Sequence, residues 1–98
     1  MEEKMNKGNV YKNGQKISEQ NGDIVTFFYK SGKKKAEGKC INEKFEGMWL
    51  FYKETGVLIQ EGNFLENKKH GEWKKFNENG KIDYHVEFKD GKEIKKYV

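Results

Sequence analysis

Three glycines, Gly32, Gly56 and Gly80, recur at an interval of 24 residues. A fixed period of this size is the signature of a stacked repeat architecture, in which each copy is one supersecondary unit that cannot bury its apolar face alone. The copies share more than the glycine. An aromatic ring, Phe28, Tyr52 or Phe76, stands four residues before it; Val25, Trp49 or Trp73 stands seven before it; Gly38, Gly62 or Val86 follows at six and Cys40, Phe64 or Phe88 at eight. Gly47 and Gly71 each precede a tryptophan by two. The stretch around Tyr11 and Gly14 reads as a shortened first copy, because Gly14 lies only 18 residues before Gly32, and atypical end copies are expected to cap such arrays. The boundaries that follow are one domain over 1–98, with a cap at 1–22, repeats at 23–46, 47–70 and 71–92, and a C-terminal strand or tail at 93–98.

The chain is 34% hydrophobic and 37% charged, a balance that on its own leans toward disorder. Its 14% aromatic content and its glycines spaced in phase argue for folding instead. A thin sheet with rings over one face and water on the other reconciles the two. No run approaches the roughly 18 to 20 apolar residues that span a bilayer, and residues 1–10 lack the apolar core of a secretory signal. The single cysteine, Cys40, excludes an internal disulfide and fits a reducing compartment, so a cytoplasmic location is expected.

Alternation gives the local structure. Ile82, Tyr84, Val86 and Phe88 alternate with Asp83, His85 and Glu87, and no segment sustains a helical period. Asn13-Gly14, Asn21-Gly22, Ser31-Gly32, Asn79-Gly80 and Asp90-Gly91 are pairs suited to two-residue hairpin turns. The expectation is an all-β antiparallel meander. With even turns, Trp49 falls opposite Gly62 and Trp73 opposite Val86, so the indole of Trp49 is expected to lie across the bare backbone of Gly62. Phe27, Phe51, Leu58, Phe64, Ile82, Tyr84, Val86 and Phe88 share this core face. Phe28, Tyr52, Phe76, Val57 and Ile59 are assigned to the opposite face with Lys33, Lys35, Glu37, Glu61, Lys74, Lys81, Asp83 and His85.

The strings Gly71-Glu72-Trp73-Lys74-Lys75-Phe76-Asn77-Glu78-Asn79-Gly80-Lys81 and Glu61-Gly62-Asn63-Phe64, with Gly47-Met48-Trp49, Tyr52 and Gly56-Val57-Leu58, resemble the MORN-repeat variant of small bacterial proteins. Its pattern runs G-x-W-x-x-Y-x-x-x-G-x-L, then E-G-x-Y and a glycine-containing turn. The likeness covers about residues 23–92. It implies an elongated, single-layer twisted sheet of hairpins with no catalytic set. Bacterial members are commonly labelled antitoxins, and eukaryotic relatives are regarded as membrane-junction or scaffold modules. Val86 for glycine, Val25 for tryptophan and Phe76 for tyrosine depart from the pattern.

Chemistry is sparse. Two histidines and one cysteine fall short of a zinc site's ligand set, and the glycines lack the lysine and serine or threonine of a phosphate loop. His70 reads as a turn residue, His85 as a solvated strand residue, and Cys40 as a small buried hydrophobe in the place of Phe64 and Phe88. No cofactor and no enzymatic activity are expected. The net charge of +4 comes without a single arginine, so solubility is favoured over base or phosphate readout. Rings left on a wet face are the kind of patch a partner covers. The expected function is therefore protein binding, by a face carrying Phe28, Tyr52, Phe76, Lys33, Lys35 and Lys74 or by a sheet edge, and the resemblance implies that the partner is a toxin or nuclease blocked in the manner of an antitoxin. An anionic membrane or nucleic acid bound through the lysines is the alternative partner.

Overall fold

The computed structural model describes residues 9–98, and residues 1–8 of the shortened first copy lie outside them. Eight strands form one antiparallel sheet in chain order. They are β1 (Ser18–Asn21), β2 (Ile24–Phe28), β3 (Lys34–Ile41), β4 (Lys44–Tyr52), β5 (Leu58–Leu65), β6 (Lys68–Phe76), β7 (Ile82–Lys89) and β8 (Lys92–Lys96). The extents of 46 × 32 × 19 Å are those of a single layer. The all-β meander expected from alternation is the fold.

Two kinds of turn divide the 24-residue period. At one end, the N–H groups of Gly14, Gly32, Gly56 and Gly80 donate to the carbonyls of Tyr11, Tyr29, Lys53 and Asn77, and each of those four residues donates to the carbonyl four ahead of it. These are three-residue loops closed by a left-handed glycine, φ +78° to +97°, where two-residue turns were expected. The identical bonding at Gly14 makes the first loop equivalent to the others despite its shorter spacing. At the other end, Asn42-Glu43, Glu66-Asn67 and Asp90-Gly91 close two-residue turns with both φ angles positive. Two of these contain no glycine, and sequence reading passed over them. The Asn67 side chain explains how such a turn is held: its Oδ1 accepts the Phe45 N–H at 2.6 Å, across to the preceding copy.

Neighbouring loops are stitched by tyrosines. The Tyr11 hydroxyl donates to the Phe28 carbonyl at 2.8 Å and the Tyr29 hydroxyl to the Tyr52 carbonyl at 2.6 Å. The series stops there, because Lys53 takes the tyrosine's place in the next copy. Tyr29→Phe is expected to lower stability by about 1 kcal/mol, the net value of one partly buried hydrogen bond, read as a lower urea midpoint with an unchanged slope.

On the inner face, Trp49 and Trp73 are 1% and 2% exposed, a degree of burial that a one-layer sheet reaches only by close stacking. Each indole lies flat on a glycine of the preceding strand. A Cβ built on Gly38 would fall 2.3 Å from the Trp49 ring, and one on Gly62 would fall 2.0 Å from Trp73. Each indole N–H then donates to the carbonyl next along, Lys39 at 3.0 Å and Asn63 at 2.8 Å. The ladder does pair Trp49 with Gly62, as expected, yet the ring over Gly62 belongs to Trp73. The sequence departures at Val86 and Val25 acquire a physical reason. No later tryptophan comes to lie on Val86, which can keep its Cβ, and Val25 has no glycine in β1 to cover. The two valines close the ends of the interlock.

Irregularities recur with the period between Phe27 and Phe28, Phe51 and Tyr52, and Lys75 and Phe76. In each, two residues oppose one, with Lys35, Ile59 and Asp83 as the extra members, so alternation cannot be carried through them. Lys35 is accordingly not on the outer face. Its amine lies over the Tyr29 ring at 5.7 Å, and it borders a cleft with Phe27, Phe28, Ala36 and Phe51. Ile82, expected in the core, is 40% exposed just beyond the last bulge. Cys40 is half-buried against the ring cluster. His70 lies within β6 and not in a turn.

Candidate partner-binding face

The rings of the inner face form one connected ladder. Trp49 contacts Phe27 at 6.1 Å and Phe64 edge-on at 6.2 Å; Phe64 meets Trp73 edge-on at 5.0 Å; Trp73 meets Phe88 at 6.5 Å. Phe45 stacks on Trp49 at 4.1 Å, and Phe51 bridges Trp49 and Trp73 at 6.4 and 6.0 Å. The tryptophans are the buried floor. Phe27, Phe45, Phe51, Phe64 and Phe88 are half-buried, each with one side packed and one side toward solvent. Near the first loop the ladder opens into an apolar cleft of about 240 Å³, walled also by Tyr11 and Ile17.

The outer face is polar. Thr26, Glu37, Leu50, Glu61, Lys74 and His85 share one row across six strands. Lys34 Nζ donates to Glu37 at 2.9 Å, which holds that carboxyl below the usual range, helped by the Thr26 hydroxyl. The same bond raises the Lys34 amine above its ordinary value. A carboxyl lowered on folding contributes stability above its unfolded pKa and loses it as pH falls through the folded one. Both groups stand partly in water, so the contribution is small, about 0.5 kcal/mol after screening. Glu37→Gln is expected to cost that much near neutral pH and nothing at pH values below the carboxylate range, as followed by thermal melts.

His85 differs from the solvated residue expected. Its Nε2 lies 2.8 Å from Glu72 Oε1, and its ring stacks on Tyr97 at 4.2 Å. The hydrogen bond from His85 is the main reason the Glu72 carboxyl sits below the ordinary range, with Lys74 adding to it. Tyr97 donates its hydroxyl to Glu87 at 3.0 Å and its N–H to the His85 carbonyl at 2.8 Å, which fastens the chain end to this face. The signal for this cluster was the tail tyrosine, whose place in the stack no repeat position announces. Among the described residues no group of three histidine, cysteine or acidic side chains converges on a common point suited to a metal ion.

The six residues singled out from sequence do not form one patch. Phe28, Tyr52 and Phe76 end β2, β4 and β6 beside the glycine loops and are half-buried. Phe28 and Lys35 border the inner cleft. Tyr52 receives the Lys34 amine at 5.7 Å, while Lys33 is exposed in its loop. Lys74 lies across the sheet, 3.8 Å from Glu72. The residues missed were the inner phenylalanines: alternation had assigned Phe27, Phe51, Phe64 and Phe88 to the core face, and Phe45 to neither face.

Residues 45–66 and 69–90, the hairpins β4–β5 and β6–β7, match the MORN repeat variant family model. The two hairpins are MORN-variant repeats. Both matched segments start at the residue that caps a tryptophan, Phe45 or Lys69, so one MORN unit holds the indole and the turn that follows it, while the glycine under that indole comes from the strand before. MORN repeats are protein-binding or membrane-binding modules. The β2–β3 hairpin carries the same loop bonding, although the match does not extend to it. No curated protein and no solved structure matches the chain.

Proposed function

We propose that this chain is a non-catalytic protein-binding module whose partner docks on the inner ring ladder. One observation carries the reading: five half-buried phenylalanines share one side of a single layer, Phe27 and Phe51 on one flank of the tryptophans and Phe45, Phe64 and Phe88 on the other, with the tryptophan floor fixing their positions in advance. Preset aromatic side chains lose little freedom on binding and are typical anchors of interfaces. Phe28 and Lys35 extend this surface at its cleft end, and Tyr52, Phe76 and Lys33 flank it at the loops. Lys74, on the opposite face, is not part of it.

The narrower reading, an inhibitor that covers the working surface of a toxin or nuclease as an antitoxin does, draws its support from the family resemblance. A cytoplasmic location is proposed with it, on the strength of the lone Cys40. Hydroxyl-radical footprinting of the chain with a co-purified partner tests the docking face. Phe27, Phe45, Phe51, Phe64 and Phe88 are expected to be protected, whereas Met48 and Tyr97, both well exposed on the outer side, keep their reactivity. Protection of Met48 and Tyr97 with the phenylalanines still reactive would overturn the assignment.

A further inference from the structure

The inner face changes character along the array. Positions equivalent by the 24-residue period are Phe45 in β4 and Lys69 in β6, and likewise Phe51 and Lys75. Where Phe45 stacks on Trp49, the Lys69 amine takes the same place over Trp73, 4.7 Å from the ring centre and 5.0 Å from that of Phe88. The Lys75 amine sits 4.7 Å over Tyr84, and Lys96 stands opposite Val86 on the same face. Among the described residues, none of these three lysines lies within ion-pair distance of a carboxylate. Glu93, opposite Phe88, and Asp83, in the bulge beside Tyr84, pair with none of them. On the outer face, by contrast, Lys34 and Lys74 are matched with Glu37 and Glu72. An ammonium seated on a ring face is attracted there and held in place while its remaining donors stay free.

We propose that the inner face binds a bipartite acidic segment of a partner protein, with apolar side chains on Phe45 and Phe51 and carboxylates on Lys69 and Lys75. The two halves are separated by two strand spacings, so the partner's apolar and acidic groups lie about 10 Å apart. This rests on the protein-binding reading and names the chemistry of the partner. A segment of that kind is favoured over a bilayer because Lys69, Lys75 and Lys96 lie in β6–β8, whereas four of the five inner phenylalanines lie in β2–β5 and the fifth, Phe88, sits beneath the Lys69 amine. An evenly charged surface satisfies only one half of such a face.

Fluorescence anisotropy with the full chain tests the idea, using a labelled peptide that joins a leucine-rich half to a glutamate-rich half. A control peptide carries lysine in place of glutamate. The glutamate peptide is expected to bind, and more weakly as salt rises. Lys69→Gln with Lys75→Gln should reduce its affinity about tenfold, the sum of two screened ion pairs. Lys69→Arg with Lys75→Arg, and Lys34→Gln on the outer face, should leave it nearly unchanged. Melting curves confirm that each variant is folded. Equal binding of the lysine peptide, or no effect of the double glutamine variant, overturns the proposal. So does binding to phosphatidylserine vesicles or single-stranded RNA in place of the peptide, or self-association that the glutamine variant abolishes. If no acidic peptide binds while a natural partner still footprints on the phenylalanines, the acidic chemistry fails and the docking face stands.

Discussion

Replacing Trp49 by alanine is expected to remove roughly 3 to 5 kcal/mol, a large share of the roughly 5 to 15 kcal/mol that a domain of this length possesses. The side chain is 1% exposed and touches Phe27, Phe45, Phe51 and Phe64 while resting on Gly38. A one-layer sheet has no second layer to collapse into the space left behind, and the Lys39 carbonyl loses its indole donor. The loss should also be uneven. Strands hydrogen-bond only to their neighbours along the array, and the ring contacts join strands no more than two apart, so damage spreads outward from the site. Amide exchange in β2–β4 of the Trp49→Ala variant is expected to rise well above that in β6–β8, with partial unfolding seen before the global transition. Uniform exchange through all eight strands would show that the array behaves as one cooperative block. Trp73→Ala should cost less, because the Lys69 amine caps Trp73 where a phenylalanine caps Trp49.

These effects locate what the sequence could disclose. The 24-residue phase of Gly32, Gly56 and Gly80 is enough to yield hairpins, a meander and a shared direction for Trp49 and Trp73, since like positions in successive copies repeat the same geometry. Bulges were hidden: Lys35, Ile59 and Asp83 look like ordinary strand residues, and a single uncounted residue moves a side chain to the other face. Turns such as Glu66-Asn67 were hidden too, because a glutamate with positive φ is held by tertiary bonds like that from the Phe45 N–H to the Asn67 Oδ1. The binding surface was misjudged for a related reason. Alternation sorts residues into two faces but does not tell that a face without a covering layer is both core and surface, as Phe45 and Phe64 are here.

The second large effect concerns Gly62. An alanine there brings Cβ to 2.0 Å from the Trp73 ring, and the three nearest atoms all belong to that buried indole, with no flexible side-chain end to swing aside. The indole must leave its seat, so Gly62→Ala is expected to cost at least about 3 kcal/mol, comparable with losing the buried ring itself. Val86, at the equivalent position of the last copy, carries its side chain without strain because no indole from a following strand lies over it. The same substitution should therefore become harmless once the ring above it is gone.

The most direct measurement is a pair of double-mutant cycles on urea midpoints, with Gly62→Ala combined first with Trp73→Val and then with Trp49→Val. In the Trp73→Val background Gly62→Ala should cost less than about 1 kcal/mol, since alanine is otherwise the better strand residue. In the Trp49→Val background its full cost should persist. Rescue by Trp49→Val and not by Trp73→Val would mean that each indole covers its ladder partner in the following strand, and the interlock of successive copies described here would be wrong.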